Sequence, residues 1–295
     1  MLSSPFANPL LPTAVATIGG LLLAGLAGLA AARASWNGTL ASRWRTWVAT
    51  ALLYGTAALA GPAAVALLAA VLALQAVREY ARLVGLGRAD RAVPLGASIA
   101  LPAAALLVGR EALYGAALFA ALAATLPALL EDDAERAGRR TAGAVFGVLY
   151  GPLALSHLVL LAAAPGGGAG LLLGLGLSVA LSDVGAYLVG RAFGRAPLAR
   201  RLSPTKTRAG LLGNLVGALL GVWPFAPYLA LPTVPLALVV SLGAVWGDLL
   251  ESALKRSAGV KDSGACLPGF GGLLDRVDSL LVAAPLAYLA LVAWS

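Results

Sequence analysis

The sequence is poor in the side chains that form disulfides and bind soft metals. Its 295 residues include one cysteine, Cys266, and one histidine, His157. A single cysteine excludes an internal disulfide, and zinc sites built from several Cys or His ligands are excluded with it. His157 lies in the apolar run HLVLLAAA, which favours a helix histidine that contacts a neighbour over a catalytic base. Any metal site must therefore be built from oxygen ligands.

Charged residues are also scarce. They make up 12% of the chain, and 60% of the residues are hydrophobic, whereas soluble domains have about 25% charged and about 45–50% apolar residues. Such a chain has too little polar surface to cover a water-soluble globule, so lipid must cover part of it. The 36 glycines fit closely packed membrane helices. We therefore expect an all-α, polytopic integral membrane protein in contact with the lipid bilayer.

The first apolar stretch lacks the basic flank of a cleaved signal peptide, because no Lys or Arg precedes Arg33. We interpret it as a retained span. A bilayer core of about 30 Å is crossed by roughly 20 apolar residues in a helix, and about ten stretches approach this length. The predicted spans are residues 10–32, 46–60, 62–77, 92–109, 112–130, 142–164, 168–190, 209–223, 226–247 and 277–294.

The positions of the basic residues support this number of spans. If the N-terminus is outside and the spans alternate, every Lys and Arg except Arg110 falls on the inside, as the positive-inside rule requires. We expect a multi-pass protein of the cell (plasma or inner) membrane with both termini extracytoplasmic and the basic loops cytoplasmic. Topology then explains the net charge of +8, and no nucleic-acid partner is expected.

The chain divides into two parts of different character. Residues 1–165 alternate apolar spans with short basic loops and show no catalytic signature. Residues 166–295 are predicted to form the catalytic region, with cytoplasmic loops at 191–208 and 250–276. Asp183 lies in the apolar helix LSVALSDVGAYLVGR, about two turns before the first loop. A carboxylate within a membrane span usually marks a functional site.

The first of these loops, RAFGRAPLARRLSPTKTRAG, combines six basic residues with Ser203, Thr205 and Thr207. Lys and Arg at this density, beside hydroxyl groups, suit the binding of phosphate oxygens. An ordinary positive-inside loop that contacts anionic lipid head groups has the same composition. Composition alone leaves both interpretations open.

The second polar cluster contains two pairs of carboxylates. Asp248 and Glu251 are three residues apart, so they share a helix face, and Asp275 and Asp278 repeat this spacing at the start of the last span. The Pro- and Gly-rich segment 268–272 can turn the chain back and bring the pairs together. The basic residues that come with them are Lys255, Arg256 and Lys261.

Convergent carboxylates and cations predict a hard, oxygen-ligated metal. Helix capping and the helix dipole are an alternative explanation for Asp275 and Asp278, but they do not explain Asp248 and Glu251 at a helix end that prefers cations. Mg²⁺ fits best, held by one or two carboxylates together with substrate phosphates. Phosphoryl and nucleotidyl transfer use this arrangement. The absence of a GxxxxGK[ST] motif argues against a P-loop ATPase.

The run from Ser252 to Asp278 resembles the signature of the phosphatidate cytidylyltransferases (CDP-diacylglycerol synthases). The segments DVGAY at 183–187 and SPTKT at 203–207 are similar to further motifs of that family. The matched region covers 182–278, a third of the chain. The signature positions in register are Ser252, Lys255, Arg256, Lys261, Asp262, Gly264, Gly271, Gly272, Asp275, Arg276 and Asp278.

The resemblance implies that CTP and phosphatidate react to give CDP-diacylglycerol and pyrophosphate with Mg²⁺, and it suggests a homodimer. The implied metal ligands are Asp183, Asp248, Asp275 and Asp278. The residues implied to hold the CTP triphosphate and the lipid phosphate are Lys206, Lys255, Arg256, Lys261 and Arg276, with hydrogen bonds from Ser203 and Thr207. The implied catalytic set is Asp248, Lys255, Arg256, Lys261, Asp275 and Arg276.

The sequence departs from the family pattern at two positions. Phe270 stands where the pattern has His, and Ala209 stands where the SPxKT loop is usually followed by x-E-G. These departures remove a potential phosphate contact or proton donor and a carboxylate. Three alternatives stay open: a CTP-dependent polyprenol or phytol kinase or a cytidylyltransferase for an ether lipid, a catalytically weak scaffold or lipid-binding paralogue, and a secondary transporter.

Overall fold

The computed structural model describes residues 10–33, 35, 38–132, 134–264, 266 and 271–294. Nearly all of them lie in helices, and eight helices in this part of the chain are long and apolar enough to cross a bilayer. The predicted all-α, polytopic architecture is confirmed. The helices are α1 (Leu10–Ala31), α2 (Thr39–Ala60), α3 (Pro62–Leu83), α4 (Ala92–Leu107), α5 (Arg110–Leu130), α6 (Ala134–Ala162), α7 (Gly168–Phe193), α8 (Arg208–Tyr228), α9 (Thr233–Ser257) and α10 (Leu274–Trp294).

Each predicted span overlaps one of these helices over most of its length, and α2 and α4 are the two that are not among the eight candidate membrane spans. Helix α2 carries Arg43 and Arg45 in its first two turns, which lowers its hydropathy. Helix α4 has 16 residues and is about 24 Å long at about 1.5 Å per residue, less than the roughly 30 Å of a bilayer core.

Helix α9 extends further than the predicted span 226–247, because it runs from Thr233 to Ser257. The predicted loop 250–276 therefore narrows to the segment between α9 and α10. The hydropathy pattern places the end of the span before the first charged residue, Asp248, whereas the helix continues to Ser257. Glu251 and Lys255 form an i,i+4 ion pair, and the basic residues at the helix end favour the helix dipole. The division of the chain at residue 165 stays a prediction.

A short β-hairpin, which the sequence did not predict, connects α7 to α8. Its strands, Pro197–Ala199 (β1) and Ser203–Thr207 (β2), are antiparallel and contain a bulge. Proline disfavours a helix interior and threonine favours strands, so this segment is locally suited to extended structure. Thr207 then caps α8, since its Oγ1 accepts a hydrogen bond from the backbone N–H of Gly210 at 3.1 Å.

Helices α7 and α8 pack with their backbones in contact along a line of small residues. Gly185 lies against Gly213, and Gly217 lies against the backbone of Leu181. The hydroxyl of Ser178 adds a hydrogen bond of 2.7 Å to the carbonyl of Ala218. Small residues allow this approach in a membrane, and the tight pair fixes the hairpin and the C-terminal end of α7 relative to α8.

Candidate active site

Helices α9 and α10 approach each other closely at Gly247. A Cβ at this position would collide with the backbone carbonyl of Asp278, so a larger residue would separate the helices. The approach brings Asp248 and Glu251 of α9 beside Asp278 of α10. Each of these side chains offers a carboxylate oxygen, and the three oxygens lie within 4.8 Å of one another. We call these three residues the carboxylate cluster.

Glu251 is the most buried member of the carboxylate cluster. It is 1% exposed, and its Oε2 forms an ion pair with Lys255 Nζ at 2.5 Å. Its Oε1 has no hydrogen-bond donor among the described residues. Buried acceptors normally have partners, and three clustered carboxylates repel one another. The cluster therefore fits a hard cation such as Mg²⁺, which takes oxygen ligands.

Asp275 has a different environment, because its carboxylate is already satisfied by the protein. Oδ1 accepts a hydrogen bond from Lys255 Nζ at 2.7 Å. Oδ2 accepts three more, from the backbone N–H of Ser263 at 3.0 Å, from the hydroxyl of Ser263 at 2.9 Å and from the backbone N–H of Gly272 at 2.8 Å. Asp275 thus ties the loop before α10 to Lys255, and Lys255 in turn contacts Glu251.

A cavity of about 340 Å³ opens between α7, α8, α9 and β2. Asp183 and Asp248 lie in its walls, and Lys206 of β2 forms an ion pair with Asp248 inside it. Asp248 therefore belongs both to the cavity and to the carboxylate cluster. The cavity places a fixed cation and two carboxylates around a space large enough for a phosphate group. Other polar residues that line it are Arg191, Thr205, Thr207 and Asn214.

Comparison with known proteins agrees with this chemistry. Residues 41–294 match the cytidylyltransferase family. The chain belongs to this family. Three relatives, each named phosphatidate cytidylyltransferase, are 41% identical over 154 residues in Mycobacterium leprae, 49% identical over 112 residues in Brucella suis and 45% identical over 112 residues in Synechocystis.

These alignments cover part of each protein. They include 51%, 37% and 36% of this chain and 49%, 42% and 38% of the three relatives, respectively. The chain thus spans half or less of the length of the curated relatives that it matches. The match over residues 41–294 establishes the family of the chain. The partial alignments identify relatives and not substrates.

The other predicted site residues of this cytidylyltransferase-family chain lie around the cavity and its loops. Arg256 joins the end of α9 to the hairpin, since its Nε donates a hydrogen bond to the carbonyl of Leu202 at 3.3 Å. Ser203 begins β2 and pairs with Ala199. Lys261 is exposed in the segment between α9 and α10, and Arg276 is exposed in the first turn of α10.

The two departures from the family pattern differ in what the structure describes. Ala209 is half-buried in the first turn of α8. Phe270 lies outside the described residues. The effect of either residue on activity stays a prediction.

Sequence reasoning missed Glu79, which reaches the site from α3. This glutamate is 1% exposed, and it accepts hydrogen bonds from the backbone N–H groups of Leu273 and Leu274 at 3.1 and 2.7 Å. The predicted third span ended at residue 77, which placed Glu79 in a loop, whereas α3 continues to Leu83. A charged residue in the last turns of an apolar helix was the available signal.

We predict that Glu251→Gln weakens divalent-cation binding by about tenfold or more, because it removes one of three clustered carboxylates. Mn²⁺ titration of the purified protein, followed by electron paramagnetic resonance, measures this change. Glu111→Gln is the matched control, since Glu111 is exposed on α5 and pairs with Arg110. Equal Mn²⁺ affinity in wild type and Glu251→Gln would contradict the assignment of the carboxylate cluster.

Proposed function

We propose that the protein transfers the cytidylyl group of CTP to phosphatidate, giving CDP-diacylglycerol and pyrophosphate. The observation that carries this proposal is the carboxylate cluster beside Lys206 at the wall of a cavity in a membrane-embedded helix bundle. The names of the relatives support it, since each is called phosphatidate cytidylyltransferase. A reaction between two anionic phosphate groups needs cations and precise positioning more than a covalent nucleophile.

Mg²⁺ is the proposed cofactor. Asp248, Glu251 and Asp278 are the residues that would hold it, and Asp183 would contribute from the same cavity, directly or through water. Asp275, the fourth ligand predicted from the sequence, has its oxygens occupied by protein donors. We therefore assign Asp275 to positioning Lys255. Bound Mg²⁺ would supply charge neutralisation for the phosphates of the nucleotide.

The lysine and arginine side chains of the site have different proposed roles. Lys206 lies in the cavity, where it would contact a phosphate oxygen in place of Asp248. Lys255 is held between Glu251 and Asp275, so its ammonium group has a fixed position next to the carboxylate cluster. The exposed cations in and beside the segment between α9 and α10 would attract and hold the triphosphate. These residues are Arg256, Lys261 and Arg276.

The proposed reaction is an in-line displacement at phosphorus. A phosphate oxygen of phosphatidate attacks the α-phosphorus of CTP and forms a new P–O bond. The bond between the α-phosphorus and the oxygen that bridges to the β-phosphorus breaks, and pyrophosphate leaves with that electron pair. The lipid phosphate is already anionic near neutral pH, so this step needs no general base from the chain.

The lipid substrate would reach the cavity from the side. The helices that form the cavity carry exposed, large apolar side chains, among them Leu188 of α7, Leu212 of α8 and Trp246 of α9. In a bilayer such residues face the acyl chains. Phosphatidate could thus keep its tails in the membrane while its phosphate enters between the helices.

We predict that purified protein forms CDP-diacylglycerol from CTP and phosphatidate only when Mg²⁺ is present, measured by direct detection of the lipid product. Asp275→Asn should lower turnover by about 100-fold or more, because the amide removes the negative charge that pairs with Lys255 and leaves one acceptor oxygen where the carboxylate has two. Glu111→Gln, on an exposed surface, should retain wild-type turnover. A wild-type protein that binds CTP with Mg²⁺ but forms no product would move the proposal to another lipid acceptor.

The site is proposed to face the cytoplasm, and the exposed Cys266 provides a test. Cys266 is the only cysteine in the sequence and lies between α9 and α10. A membrane-impermeant maleimide should label it in inside-out vesicles and leave it unlabelled in sealed, right-side-out vesicles. Cys266→Ser is the control for nonspecific labelling. Labelling from the outside would reverse the topology that the basic residues predict.

A further inference from the structure

Glu79 is a buried carboxylate in the half of the chain that showed no catalytic signature. It lies near the end of α3 and is 1% exposed. A buried charge is unfavourable unless hydrogen bonds compensate it. What surrounds Glu79 therefore indicates why a glutamate, and not an apolar residue, occupies this position.

Three N–H donors and a shared hydroxyl surround the Glu79 carboxylate. Oε1 accepts from Gln75 Nε2 at 2.9 Å and from the backbone N–H of Leu273 at 3.1 Å. Oε2 accepts from the backbone N–H of Leu274 at 2.7 Å, and the hydroxyl of Ser263, whose single proton is shared with Asp275, lies 3.2 Å away. Both oxygens therefore act only as acceptors. An amide side chain offers one acceptor oxygen and an NH₂ group, which would oppose at least one of these donors.

The partners of Glu79 lie at the entry to α10. Leu274 is the first residue of α10 and Leu273 precedes it, and their N–H groups belong to the positive end of the helix. Gly272 also lies against Glu79, since a Cβ on this glycine would be 2.6 Å from Glu79 Oε2. Glu79 thus fixes the start of the helix that carries Asp278.

A short chain of contacts continues from Glu79 to the carboxylate cluster. The hydroxyl of Ser263 lies between two carboxylates, 3.2 Å from Glu79 Oε2 and 2.9 Å from Asp275 Oδ2. Asp275 binds Lys255, and Lys255 pairs with Glu251. Glu79 is therefore connected to the cluster both through the helix start and through Ser263.

We propose that Glu79 is a positioning residue of the active site: it holds the start of α10 and the Ser263–Asp275–Lys255 contacts so that the carboxylate cluster can bind a divalent cation. The first half of the chain then contributes directly to the geometry of the site. The effect on turnover rests on the proposed function, whereas the effects on cation binding and on the backbone at α10 do not.

The test compares Glu79→Gln with the wild-type protein in detergent. Glu79→Gln has nearly the same shape but lacks the second acceptor, so we expect Mn²⁺ affinity to fall by about tenfold or more. Hydrogen exchange of the segment 271–278 should become faster at the same time, because one of the two backbone N–H groups loses its acceptor and meets an NH₂ group instead. Glu135→Gln is the matched control, since Glu135 is an exposed glutamate in the same half of the chain.

A second variant separates positioning from general stability. Ser263→Ala removes the hydroxyl between Glu79 and Asp275 without changing any charge, so it also serves if Glu79→Gln fails to fold. We expect Ser263→Ala to weaken Mn²⁺ binding as well. The double variant should lose less than the product of the two single effects, because both changes act on one set of contacts.

The outcomes distinguish this proposal from the proposed reaction. A lower melting temperature with unchanged Mn²⁺ affinity in both variants would show that Glu79 only stabilises the fold, and would overturn the inference. Wild-type protein that binds no Mn²⁺ would overturn it too. Wild-type protein that binds Mn²⁺ but forms no CDP-diacylglycerol would overturn the reaction alone, and the exchange and Mn²⁺ measurements would still decide the role of Glu79.

Discussion

The close contact of α9 and α10 at Gly247 is the constraint on which the site depends. It holds Asp248, Glu251 and Asp278 with oxygens within 4.8 Å of one another, in an environment where like charges repel far more strongly than in water. Lys206 pairs with Asp248, but Lys255 is shared between Glu251 and Asp275. The negative charge is therefore only partly balanced, which is the condition under which a divalent cation and its phosphate ligands bind well.

The rest of the fold holds this arrangement in place. The glycine contacts between α7 and α8 fix one side of the cavity, and the β-hairpin between them carries Lys206 to Asp248. On the other side, Glu79 of α3 reaches the start of α10. Two distant parts of the sequence thus hold one cluster in place.

Much of this architecture could be predicted from the sequence, because it depends on composition and local spacing. Apolar runs indicated the helices, and the three-residue spacing of Asp248 and Glu251 indicated a shared helix face. The contacts that give the carboxylates different roles could not be predicted in this way. In the sequence, Asp275 and Asp278 look equivalent. In the structure, the loop around Ser263 donates hydrogen bonds to Asp275, whereas Asp278 belongs to the carboxylate cluster.

The most direct test of the account is to locate the cation itself. Crystals grown with Mn²⁺ and a non-hydrolysable CTP analogue would show the ion by its anomalous scattering. The account predicts an anomalous peak bonded to oxygens of Asp248, Glu251 and Asp278, with nucleotide phosphate completing its ligands. A peak bonded to Asp275 in place of Glu251, or an ion bound only by exposed carboxylates, would contradict the central claim.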